Sequence, residues 1–96
     1  MSPFPEVRQD LAFVVGEDVP AAALLAAIRK AGGDWLRDVA VFDEYRGEQI
    51  GAGKRSLAFR VAFGSPERTL TDEDVAPVRA ALVTALGEQF AAELRG

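Results

Sequence analysis

The segment Ser56-Leu57-Ala58-Phe59-Arg60-Val61-Ala62-Phe63 constrains the fold of this chain more than any other. Leu57, Phe59, Val61 and Phe63 alternate strictly with Ser56, Ala58, Arg60 and Ala62. Successive side chains of a strand point to opposite faces, so the pattern requires one wholly apolar face and one face of small or polar residues. Such a strand belongs in a sheet that is covered on one side and open on the other. Arg8 to Val15 repeats the pattern, with Leu11, Phe13 and Val15 on one face and Asp10, Ala12 and Val14 on the other. Gly16-Glu17-Asp18 ends that strand, and Gly64-Ser65-Pro66 ends the later one.

The segments between them are helical in period. Pro20 is expected at the first helical position, where its missing N–H costs nothing. Ala21 to Ala31 follows, rich in Ala and Leu, with Leu24, Ile28 and Ala31 as the apolar stripe and Leu25 beside it. Arg29 and Lys30 suit the last turn and Gly32-Gly33 the stop. Trp35 to Tyr45 reads as a strand with an irregularity, because Val41 and Phe42 are adjacent and strict alternation cannot bury both. A β-bulge there is expected to place Phe42 inside and turn Asp43 and Tyr45 together toward the other face. Trp35 reads as a core or rim anchor. Arg46 to Lys54 is a Gly-rich hairpin connection. Thr71 is a good N-cap with Asp74 in capping-box spacing, and Val75, Val78, Leu82 and Leu86 form the stripe of a second helix. Pro77 is expected to kink it slightly. The helix is expected to end around Gly87–Gln89, and Phe90 to Arg95 reads as a closing edge strand or a continuation of the helix.

The order strand, helix, strand, strand, helix, strand is the ferredoxin-like split βαβ arrangement. It is an α+β fold with a four-stranded antiparallel sheet and both helices on one face. The length suits one domain over residues 1–96. The sequence holds no Cys and no His, which removes disulfides, thiolate nucleophiles, the usual zinc sites and the imidazole general base. No apolar run approaches the roughly 20 residues of a spanning helix, and Met1-Ser2-Pro3-Phe4-Pro5 lacks the features of a signal peptide. A soluble cytoplasmic domain with no membrane contact is the expectation. The net charge of −4 argues against tight stand-alone nucleic-acid binding.

In this topology the first and third strands are central, so Asp10, Ala12, Val14, Ser56, Ala58, Arg60 and Ala62 form the open floor, with Asp43 and Tyr45 beside it. Small side chains make a shallow floor, and an aromatic at its side suits a stacked base. Asp43 and Ser56 suit hydrogen bonds to a base edge. Arg8, Arg46, Lys54, Arg55, Arg60 and Arg95 are candidate phosphate contacts. An open face of small and polar residues also suits plain solvent exposure, since a fold does not fix a function. Gly51-Ala52-Gly53-Lys54-Arg55-Ser56 is not a phosphate-binding loop, because the glycine spacing is wrong and Arg55 stands where Ser or Thr is required. Glu17-Asp18 and Asp72-Glu73-Asp74 read as a turn and a helix start.

Pro5-x-x-Arg8-x-Asp10-Leu11, Phe42-Asp43-x-Tyr45-x-Gly47, Lys54-x-Ser56-Leu57, Pro66-Glu67-Arg68-Thr69-Leu70-Thr71-Asp72-Glu73 and the final Glu93-Leu94-Arg95 occur in this order. In combination they resemble the ferredoxin-fold anticodon-binding domain, which closes the β subunit of bacterial phenylalanyl-tRNA synthetase. The resemblance implies recognition of the anticodon stem-loop of tRNA(Phe). It implies that Tyr45 stacks on an anticodon base, that Asp43 and Ser56 lie at that base, and that Arg95 lies near the loop. Gln9 departs from the family, which often has Arg there. The resemblance further implies an excised module that partners the rest of the β subunit and the α subunit. The module itself would hold no cofactor, with ATP and Mg²⁺ used elsewhere in the parent enzyme. Two readings from other classes are a small-molecule regulatory module and an acylphosphatase-like enzyme. The acidic Gly16-Glu17-Asp18-Val19 turn opposes the second.

Overall fold

A computed structural model describes residues 4–95; the Met1-Ser2-Pro3 part of the leader reading and Gly96 lie outside the described residues. The elements are β1 (Val7–Gly16), α1 (Ala21–Gly32), a 3-10 turn (Gly33–Trp35), β2 (Leu36–Tyr45), β3 (Lys54–Phe63), α2 (Asp72–Phe90) and β4 (Glu93–Leu94). The sheet order is β2-β3-β1-β4 with every pairing antiparallel, which is the ferredoxin-like α+β arrangement. β1 and β3 are central, as their two-phase patterns require.

The alternation in those strands sets the core. Leu11, Phe13, Val15, Leu57, Phe59, Val61 and Phe63 are all buried on the helix side. They pack with Leu24, Ala27 and Ile28 of α1 and Val75, Leu82 and Leu86 of α2. Ala31 is only half-buried, and Ala27 takes the place expected of it. Ile50 is buried inside the Gly-rich connection, where its N–H donates to the Gly47 carbonyl at 3.0 Å. Single loop hydrophobes carry no periodicity, so pattern reading passes over them.

Helix ends follow local chemistry. Pro20 is the N-cap of α1, in extended conformation, and not its first helical residue. Gly33 takes φ 69° after the last turn, which holds Arg29 and Lys30. α2 begins with the full capping box of Thr71 and Asp74. It runs through Pro77 and past Gly87 to Phe90, three residues beyond the start of the expected stop. The stop is Ala91, in the left-handed conformation at φ 54°, whose N–H donates to the Gly87 carbonyl at 3.0 Å. Glu93–Leu94 then pairs with Val14 and Phe13, so the C-terminal segment is an edge strand.

β2 carries two register shifts, between Leu36 and Asp38 and between Val41 and Asp43. The second is the expected bulge. Its consequence for Phe42 is the reverse of the expectation. Val41 stays opposite Phe59 on the helix-side phase, Asp43 stands opposite Ala58 on the open phase, and the inserted Phe42 points to the open face. There it is 48 % exposed with the Arg60 guanidinium 4.5 Å from its ring centre. Even Val41, on the helix-side phase, is 39 % exposed, so the core does not reach this level of β2 and offers Phe42 no place to be buried.

Candidate nucleic-acid interface

The register builds the open face as rows across the sheet. Tyr45, Ser56, Val14 and Glu93 form one row; Asp43, Ala58 and Ala12 form the next, where the Arg95 N–H donates to the Ala12 carbonyl at 2.7 Å. Tyr45 and Arg95 therefore stand on opposite edges of the sheet, with small residues between. Both side chains lean inward, and the Arg95 guanidinium carbon lies 5.2 Å from the Tyr45 ring centre. Ser56 lies on the floor beside them and is only 3 % exposed.

Tyr45 is held at its tip. Its hydroxyl donates to Gln49 Oε1 at 3.4 Å, and a Cβ on Gly47 would stand 3.1 Å from that hydroxyl. Gly47 thus gives the ring room to lie over the chain reversal. The glycine was visible in sequence as part of a motif, but its purpose was not. Gln49 carried no sequence signal. Asp43 Oδ1 accepts from the Glu44 N–H at 2.9 Å, which orients the carboxylate at the edge of the floor.

The cations divide. Lys54 is exposed on the open phase, in register with Gly16. Arg8 is also on the open phase, with Glu6 at 3.7 Å and its side chain largely in solvent. Arg60 donates from Nε and Nη2 to Asp10 at 3.0 and 3.3 Å. That hydrogen bond is the main reason the Asp10 carboxyl is held below its ordinary value. Arg55 does not join the open face. It is on the helix-side phase opposite Val15, where Nη2 donates to the Val19 carbonyl at 2.6 Å and Nη1 to Glu44 at 2.7 Å. A residue beside an open-face serine in sequence is on the other face of the strand, so alternation itself excludes Arg55. Arg46 is also on other duty, bonded to Glu17 at 3.1 Å and Glu44 at 3.2 Å. Gln9 stands opposite Val61 on the helix-side phase, so its departure from the family pattern removes no cation from the open face.

The family model of the ferredoxin-fold anticodon binding domain matches residues 2–95. The chain belongs to that family. Among its relatives are phenylalanine–tRNA ligase beta subunits from Geobacillus kaustophilus, 50 % identical over 97 % of this chain, and from Synechocystis, 49 % identical over 98 %. The same subunit of Corynebacterium efficiens is 45 % identical over the whole chain. In each case the chain spans about 12 % of the relative's length. For an anticodon-binding domain the geometry is chemically apt: an aromatic side chain, an oriented carboxylate, a serine and an arginine surround one shallow floor. Among the described residues no group of three or more acidic side chains is placed to hold a metal ion, and no helix is long and apolar enough to cross a membrane.

Proposed function

We propose that this chain binds the anticodon loop of tRNA(Phe) on its open sheet face, as a module of a phenylalanyl-tRNA synthetase β subunit. The observation that carries the reading is the convergence of Tyr45, Asp43, Ser56 and Arg95 over the Ala12–Ala58 floor, in a chain of this family. A splayed base stacks on the Tyr45 ring, a contact that contributes about 1–3 kcal/mol. Asp43 accepts from the edge of that base and Ser56 bonds to it from below, in the way unpaired RNA bases are read. Arg95 already occupies the space over the ring, so the base enters as Arg95 moves outward to the phosphates. Lys54 and Arg8 supply further backbone contacts.

The module carries no step of aminoacylation. ATP and Mg²⁺ are used elsewhere in the parent enzyme, the module partners the rest of the β subunit and the α subunit, and the assembly works in the cytoplasm. Anticodon contacts made here add to those made elsewhere on the same tRNA, so even weak binding by the domain raises the affinity of the whole. The test is an NMR titration of the chain with an RNA hairpin bearing the phenylalanine anticodon loop. Shifts centred on Tyr45, Ser56 and Arg95 are expected. Shifts confined to the helices, or none at high RNA concentration, would overturn the reading.

A further inference from the structure

The open face carries a second aromatic assembly that the Tyr45 site does not use. Phe42 is exposed on that face because of the bulge. Its ring is covered by the Arg60 guanidinium at 4.5 Å, and Asp10 grips Arg60 through Nε and Nη2. Bonds made in the plane of a guanidinium hold it flat and leave its faces free to stack. One face of Arg60 meets Phe42. Among the described residues Arg60 meets no other ring, and its side chain is 52 % exposed, which leaves the guanidinium open to a further stacking partner. Beside it lies a hollow of about 200 Å³ lined by Glu6, Arg8, Asp38, Ala40, Phe42 and Arg60, with Ala62 as its floor.

We infer that Phe42, Arg60 and Asp10 form a second stacking site, which takes a nucleobase neighbouring the one at Tyr45; this inference rests on the RNA-binding reading. Three features favour it. Phe42 precedes Tyr45 by three residues on the same strand and face, a separation of about 10 Å that a splayed single strand bridges. The Arg60–Asp10 pair lies one cross-strand row beyond Ala58–Ala12, so the two sites share one continuous floor. The rim carries Glu6 and Asp38 alongside Arg8. Those carboxylates oppose a bound phosphate but not a neutral base, while Arg8 reaches the backbone at the outer margin. The base lies on the outer face of Arg60, which completes a stack of base, guanidinium and phenyl ring.

The chain, labelled with ¹⁵N and ¹³C, is titrated with the same anticodon hairpin, and Phe42→Leu, Arg60→Lys and Tyr45→Ala are compared by affinity and melting temperature. Phe42→Leu keeps an apolar side chain but no ring, and Arg60→Lys keeps the charge but no plane. The expected result is that the Arg60 Nε–H and Phe42 ring signals shift together with those of Tyr45. Phe42→Leu and Arg60→Lys should each weaken binding by about fivefold or more, with unchanged melting temperature. If Tyr45 responds and Tyr45→Ala weakens binding while the Phe42 and Arg60 signals stay still, the second site is overturned and the first stands. Shifts at Arg60 with undiminished affinity of Phe42→Leu or Arg60→Lys also overturn it. If no signal on the open face responds, both readings fall.

Discussion

Tyr45 is the residue on which the proposed recognition turns, and its surroundings fix what substitutions do. The side chain is 42 % exposed and touches Arg95 and Gln49, neither of which belongs to the core. Tyr45→Ala is therefore expected to lower RNA affinity by about fivefold or more, while urea unfolding changes by less than about 0.5 kcal/mol. Equal affinity in a titration with the anticodon hairpin would refute the role. Gly47→Ala places a methyl 3.1 Å from the Tyr45 hydroxyl and 3.3 Å from the ring carbon that bears it, so the ring must tilt by a few tenths of an ångström. Altered Tyr45 ring shifts and a smaller affinity loss than Tyr45→Ala are the expected readouts. Ala91 shows a different economy. It holds a left-handed conformation that a Cβ disfavours, at an exposed position. Ala91→Gly is expected to stabilise the chain by about 1 kcal/mol in urea unfolding, because glycine adopts that conformation without the steric penalty.

At the level of elements, α2 is anchored by its first turn. Thr71 Oγ1 accepts from the Asp74 N–H at 3.2 Å, and the Asp74 carboxylate accepts from the Thr71 N–H at 2.9 Å. Arg68 joins through Nη1 at 2.6 Å. The Arg68 hydrogen bond first, and the Thr71 backbone second, hold the Asp74 carboxyl well below its ordinary value of 3.8. Thr71→Ala is expected to cost about 1 kcal/mol, measured by thermal unfolding. The pH dependence follows from the same bonds. A carboxyl depressed in the folded chain binds fewer protons folded than unfolded, so stability rises with pH through that window. The contribution of Asp74 is complete above about pH 4 and is lost as pH falls below it. Asp10 and Glu44, both held below their ordinary values by arginine hydrogen bonds, act in the same direction. Acid unfolding of Asp74→Asn should be flatter below pH 4 than that of the parent; an identical slope would contradict the assignment. β2 is the other element with consequences. One inserted residue put Phe42 on the surface instead of in the expected core, and it turned Asp43 and Tyr45 together onto the open face.

For the whole molecule, the net charge of −4 divides unevenly. Glu17, Asp18, Asp72 and Glu73 lie in a turn and a helix start, away from the open face. Even so, that face is not basic. Asp10, Asp38, Asp43 and Glu93 share it with Arg8, Lys54, Arg60 and Arg95. Arg60 is already paired with Asp10, which leaves few cations for phosphates. RNA binding by this chain should accordingly depend weakly on salt. Two or three neutralised phosphates give a slope of log K against log salt no steeper than about −2. A steep slope, measured by anisotropy across a salt series, would show that binding rests on a basic surface and not on stacking.

The sequence by itself determined the sheet, its two central strands and the face each side chain occupies. Leu57 to Phe63 and Leu11 to Val15 encode those faces in a period of 2, which holds wherever the strand stays regular. It also determined the start of α2, because the capping box is a contact between residues three apart. Ser56 is placed by the same regular alternation, whereas Asp43 and Tyr45 join it only through the β2 bulge that the adjacent Val41 and Phe42 signal in the sequence. Only the tertiary structure decided what depends on contact between distant segments. The direction of Phe42 depended on how far the core extends over β2, where even Val41 is exposed, the burial of Ile50 on how the hairpin folds back, and the end of α2 on where β4 had to dock against β1. The meeting of Tyr45 and Arg95 over the floor joins two edge strands that are 50 residues apart in the chain, and local pattern carries no information at that separation.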